Sequence, residues 1–132
     1  MLALDTNTLV YFFKGIGNVA QHLRLRATPP REIGIPALVL YELEVGIAKS
    51  SQPESRRQAL AALLKLVRIL PFDEPSARAA ADIRVRLEAT GMPIGPVDPL
   101  IAATAMAHSA ILVTHNTREL SRIPGLRVVD WH

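Results

Sequence analysis

Residues 110–114 read AILVT and run on into His115 and Asn116. An apolar run this short and unbroken suits a strand covered on both faces, and such strands belong to parallel sheets flanked by helices. Just before it, 98-DPLIAATAMA-107 reads as an apolar, alanine-rich helix entered through Asp98 and Pro99. Beyond it, residues 126–129 predict a last strand.

The other end of the chain repeats the pattern. Residues 2–4 predict a short strand that stops at Asp5-Thr6-Asn7, and residues 9–13 look like the first turns of a helix. After TPPR, residues 33–36 suggest a second strand. The helix that follows, ALVLYELEVGIAKS, puts Leu40, Leu43 and Ile47 on one face and Glu42, Gly46 and Lys49 on another. A third helix over 54–67, a strand in RILPFD, and a fourth helix over 75–90 closed by Gly91 complete the reading. Strands separated by helices indicate an α/β sandwich with a mainly parallel sheet. The 132 residues suit one domain spanning 1–132 with a single core.

Composition narrows the chemistry. With no cysteine, disulfides, thiolate zinc sites and cysteine nucleophiles are excluded, so a metal must be held by oxygen or imidazole. His22, His108, His115 and His132 form no zinc-hydrolase spacing, and no phosphate-binding glycine loop or serine elbow is present. The opening MLALDTNTLVYFF reads as a strand rather than a secretory leader, and the apolar run 100–113 contains His108 and is too short to span a membrane. A cytoplasmic protein is expected. Hydrophobic residues make up 49% of the chain and the net charge is +3, so a polyanion such as nucleic acid is a reasonable partner.

Ligands of parallel sheets sit beyond the carboxyl ends of the strands. That rule selects Asp5, the His115-Asn116 pair and the start of the Asp98 helix. Aspartate is a preferred N-cap, so Asp98 has a structural role open to it, worth about 1 kcal/mol; capping and cation binding are compatible. Asp5 has a turn-forming alternative, and Glu42 an ordinary solvated one. Gly46, one turn beyond Glu42, costs about 1 kcal/mol relative to alanine, which suggests that something approaches that face closely. Arg84 falls within an apolar stripe of Ala77, Ala80, Ile83 and Leu87; it either snorkels at the core's edge or faces an acidic pocket.

If Asp5, Glu42 and Asp98 converge, each pair at about 4 Å repels by about 4 kcal/mol at an effective dielectric of about 20. Folding alone does not favour such a cluster. A hard divalent cation neutralises it, and Mg²⁺ and Mn²⁺ prefer oxygen donors. A site of that kind activates water for in-line hydrolysis of a phosphodiester.

Taken together, LDTNTLVYF, ALVLYELEVG, IRVRLEATGMPIGPVDPLIAATA, ILVTHNTREL and IPGLRVVDW resemble the PIN-domain family, specifically the VapC-type toxins of bacterial toxin-antitoxin pairs. The resemblance covers essentially the whole chain, in order. It implies a three-layer α/β/α fold and a Mg²⁺- or Mn²⁺-dependent endoribonuclease acting on structured RNA such as tRNA or rRNA. The motif acids carry over as Asp5, Glu42 and Asp98, with Thr6 a candidate to orient water. PIN nucleases often carry a fourth acid where this chain has Asn116; Glu119, three residues on, either compensates or is a first-turn acid of its helix. The resemblance also implies an antitoxin that covers the acidic site, and a homodimer. Arg24, Arg26, Arg31, Lys49, Arg86 and Arg118 are candidates to contact RNA or are ordinary solubilising charges.

Two other readings compete. The fragment DTNT also fits the nucleophile motif of haloacid-dehalogenase-type phosphatases, without the downstream residues that fold needs. A non-catalytic RNA-binding module is the other, and Asn116 is its one hint.

Overall fold

A computed structural model describes residues 1–15, 18 and 32–132. The described elements are β1 (Leu2–Leu4), α1 (Thr6–Lys14), β2 (Ile33–Pro36), α2 (Ala37–Ala48), α3 (Pro53–Leu64), β3 (Arg68–Leu70), α4 (Glu74–Ala89), α5 (Asp98–Ala107), β4 (Ile111–Val113), α6 (Thr117–Leu120) and β5 (Val128–Val129). The strands form one sheet in the order β3-β2-β1-β4-β5, and every neighbouring pair is parallel. Arg24, Arg26, Arg31 and His22 lie outside the described residues.

The order explains the layers. The chain steps from β1 to β2 to β3 in one direction along the sheet, then returns past β1 to β4 and β5 in the other. Parallel crossovers are right-handed, so α1, α2 and α3 fall on one face and α4 and α5 on the opposite one. The packing agrees: α1 lies on α2, α2 on α3, and α4 on α5. This is the α/β/α sandwich expected from the sequence.

Burial follows sheet position. The central strands β1 and β2 are buried along their whole length, Leu112 and Val113 of β4 are buried, and the edge strands β3 and β5 are more exposed. AILVT therefore reads as an unbroken apolar run because it lies near the middle of a sheet with helices on both sides. The core faces of the helices are Val39, Leu43 and Ile47 on α2, Leu60 and Leu63 on α3, and Ala80, Ile83 and Leu87 on α4. Local chemistry sets the ends. Asp73 caps α4, accepting from the Ser76 amide at 3.1 Å and hydroxyl at 2.7 Å, and Gly15 and Gly91 close α1 and α4 in the left-handed region at φ 69° and 67°.

At Gly34 in β2 the requirement is space. A Cβ there would lie 2.8 Å from the Leu70 side chain of β3, which is itself buried. Gly34→Ala is expected to destabilise the fold by about 1–3 kcal/mol through overpacking, read as a lower urea midpoint with an unchanged slope. A midpoint equal to the parent's would show that Leu70 yields without cost.

Candidate metal-dependent active site

The strand order reverses between β1 and β4, the point at which open parallel sheets take ligands beyond the carboxyl ends of their strands. Asp5 follows β1 directly. Its amide donates to Val113 O at 3.0 Å, which extends the β1–β4 pairing by one residue. Its carboxylate is buried, with 5% of the residue exposed. Oδ1 accepts from the Thr6 amide at 2.7 Å and so caps α1, while Oδ2 accepts from the Thr114 hydroxyl at 2.7 Å.

Thr114 was not singled out by sequence. Its hydroxyl donates to Asp5 and accepts from the Asn116 amide at 3.0 Å, so one buried side chain shapes both the first acid and the turn after β4. The only signal was position: it is the polar residue that ends the apolar run.

Thr6 Oγ1 donates to Glu42 Oε1 at 2.6 Å, linking α1 to α2. Asp98 Oδ2 accepts from Asn116 Nδ2 at 3.4 Å, and the same amide donates to Glu119 Oε2 at 3.4 Å. Asn116 thus bridges two acids.

The electrostatics tie the acids together. Burial pushes the Asp98 carboxyl above the ordinary carboxylate range, and the charges of Asp5, Glu42 and Glu119 push it further, against a lowering bond from Asn116. Burial likewise raises Asp5, opposed by the bonds from Thr114 and Thr6 and reinforced by Glu42. None of the ion pairs among the described residues reaches Asp5, Glu42, Asp98 or Glu119. These acids are within mutual electrostatic reach. Among the described residues, however, no three acidic or imidazole side chains are drawn close enough to form a ready cage for an ion.

Two expectations need correction. Asp98 begins α5 but does not cap it: Val97 is the N-cap, Pro99 follows within the first turn, and no side-chain cap bond forms. The Val97 carbonyl takes the Leu100 and Ile101 amides at 2.9 and 3.1 Å, which leaves the Asp98 carboxylate to Asn116. Arg84 does not face an acidic pocket. Its side chain is 78% exposed and pairs with Glu88 at 3.3 Å, one turn along α4. The buried stripe contains Ser76, Ala80, Ile83 and Leu87, and Ala77 is exposed. At about 100° per residue, exchanging Ala77 for Ser76 narrows the stripe to roughly 60° and leaves Arg84 outside.

Of the described basic candidates, Arg86 pairs with Asp82 at 3.0 Å. Lys49 ends α2 and Arg118 lies beside Glu119 on α6; both are exposed.

With the geometry in place, comparison with known proteins is informative. Residues 2–126 match the family model described as PIN domain. The chain is 35% identical to the tRNA(fMet)-specific endonuclease VapC of Salmonella typhimurium over 97% of this chain and 96% of that one. It is 36% identical to the ribonuclease VapC2 of Rickettsia felis, with the same coverage. Among solved structures, VapBC2 from Rickettsia felis bound to a promoter DNA fragment aligns with a TM-score of 0.91 at 35% identity, covering 99% of this chain and 98% of that one. DNA-bound VapBC from Salmonella typhimurium aligns with the same TM-score at 32% identity.

The raised carboxyls carry a prediction about stability. Because the folded-state pKa values of Asp5 and Asp98 lie above the ordinary ones, their contribution is most favourable below the ordinary carboxylate pKa and is lost as pH rises through the folded values. In EDTA at pH 7, Asp98→Asn is expected to melt above the parent, and the difference should shrink below about pH 4. Thermal unfolding at both pH values tests this; a lower Tm for the variant at pH 7 would contradict it.

Proposed function

The chain belongs to the PIN-domain family, and on that premise we propose that it is a divalent-metal-dependent endoribonuclease, the toxin of a toxin-antitoxin pair, cutting structured RNA of the tRNA or rRNA class. The observation that carries this reading is the hydrogen-bonded set of acids at the carboxyl edge of the sheet, in which Thr114 binds Asp5, Thr6 binds Glu42 and Asn116 bridges Asp98 and Glu119. These acids come from separate segments of the chain, toward the edge of the sheet where parallel folds take their ligands.

The donor set fits Mg²⁺ or Mn²⁺. It consists of hard carboxylate oxygens in excess, with Asn116 as a neutral oxygen donor, and it has no built-in counter-charge among the described ion pairs. Asp5, Glu42 and Asp98 are the ligand candidates, and Glu119 or Asn116 completes the set. When bound, the cation supplies charge neutralisation and Lewis acidity at the phosphodiester.

The chain's own groups divide the remaining work. Asp5 is fixed by the Thr6 amide and the Thr114 hydroxyl, so its position is set before any ligand arrives. Thr6 orients Glu42, and its hydroxyl is the candidate to align the attacking water. Asp98, which Asn116 holds by one amide bond, is the candidate to take the water's proton as the water attacks phosphorus. The ribose oxygen then leaves with the second RNA fragment. The relatives in VapBC complexes support an antitoxin partner for this chain, and we extend the proposal to a homodimer acting in the cytoplasm.

The deciding experiment incubates purified, antitoxin-free protein with total cellular RNA in Mg²⁺, Mn²⁺ or EDTA, beside folded Asp5→Asn and Asp98→Asn. Discrete fragments are expected from the parent with metal, and at least about 100-fold less product from either variant, the scale at which loss of one acid-base group is felt. Cleavage by both variants at the parent's rate would place the chemistry elsewhere.

A further inference from the structure

A groove of about 430 Å³ runs between α1, α2 and α3 and opens at one end on Thr6 and Glu42 of the acidic site. Small-molecule sites range over about 300–1,000 Å³, so the groove is roomy enough for one nucleotide. Phe13 and Val10 supply an apolar wall, and Lys14 and Arg56 supply two exposed cations. Neither cation has a carboxylate partner in any ion pair among the described residues. Gln52 and Ser55 add groups able to hydrogen-bond a base or sugar.

Gly46 lines this groove, one helical turn beyond Glu42. Glycine in a helix interior is unfavourable relative to alanine. Nothing in the described fold asks for it: its backbone is not in the left-handed region, and an added Cβ would meet no atom within 4 Å. The missing side chain therefore keeps open a space that the chain's own described residues do not use.

We propose that the groove is the subsite for the nucleotide next to the cleaved phosphodiester, with Lys14 and Arg56 holding its phosphate and Gly46 admitting its sugar or base. The inference rests on the nuclease reading and names where that site takes its substrate. Charge favours RNA over a protein segment, because two cations without a carboxylate partner among the described residues line a groove that reaches Thr6 and Glu42 of the candidate cleavage site. The rise from Glu42 to Gly46, about 6 Å along the helix axis, is comparable with the step between successive nucleotides.

The test uses a labelled RNA hairpin carrying a cut site found in total RNA, with the parent, Gly46→Leu, and the Lys14→Ala/Arg56→Ala double variant. Gly46→Leu fills the groove; the double variant changes only exposed side chains and guards against a folding defect in the first. Tm and Mn²⁺ affinity are expected to match or exceed the parent's. Cleavage kcat/KM should fall at least about tenfold in both variants, and in EDTA the double variant should bind with a salt slope shallower by about 0.7, one phosphate contact's worth on a single strand. Unchanged kcat/KM and salt slope would overturn the subsite. So would a Gly46→Leu variant that cuts RNA normally but escapes inhibition by the antitoxin, which would assign the groove to the protein partner. A parent that makes no metal-dependent fragments from any RNA would instead remove the nuclease reading beneath it.

Discussion

The pairing of β1 with β4, carried one residue past both strands, is the constraint on which the site depends. The Asp5 amide bonds to Val113 O, the Thr8 hydroxyl to the same carbonyl, and Thr114 Oγ1 closes onto Asp5 Oδ2. These bonds lie in a buried environment, where each is expensive to lose without replacement. They fix the first acid, start α1 and shape the turn that presents Asn116. Because β1 and β4 are also where the strand order reverses, the best-anchored part of the sheet is the part that carries the proposed site.

That anchoring works against charge. Burial and mutual repulsion raise both Asp5 and Asp98, whereas a site serving stability alone would pair its acids with cations. Elsewhere the chain does so: Glu54, Glu74, Glu88 and Asp82 each meet an arginine on their own helix. Among the described residues, the contrast between surface acids paired with arginine and site acids without a cation partner is what singles out the proposed site. Asn116 moderates the tension by lending one amide to Asp98 and Glu119, a role that a fourth carboxylate at that position could not fill.

Much of this was legible in the sequence, for identifiable reasons. The helices and strands show in their periodicity, and the sheet-edge rule places Asp5, Asn116 and the head of α5 together without any coordinates. What remained hidden depended on single torsions or on one position in a stripe. Asp98 looks like a cap because aspartate before proline usually is one, yet a one-residue shift of the helix start to Val97 frees its carboxylate. Arg84 looked buried because Ala77 was counted apolar and therefore inward, while buried Ser76, satisfied by Asp73, holds that place. Thr114 was overlooked because its importance lies in a contact with a residue 109 positions away.

Helix α2 shows how little sequence separates these roles. Val39, Leu43 and Ile47 bury its inner face against the core, and Glu42, adjacent to one of them, reaches Thr6 at the acid site. Gly46 is adjacent to another and opens the groove. Since Glu42 and Gly46 are one turn apart on the same face, a core that positions Leu43 and Ile47 positions both the acid and the gap beside it. Packing of this helix therefore sets the distance between a candidate metal ligand and the space next to it, and a shift of α2 would move both together. Tyr41 and Val45, 60% and 37% exposed on the same helix, bear no such burden. The face of α2 that carries Glu42 and Gly46 is thus held in register by the buried Leu43 between them and the buried Ile47 just beyond.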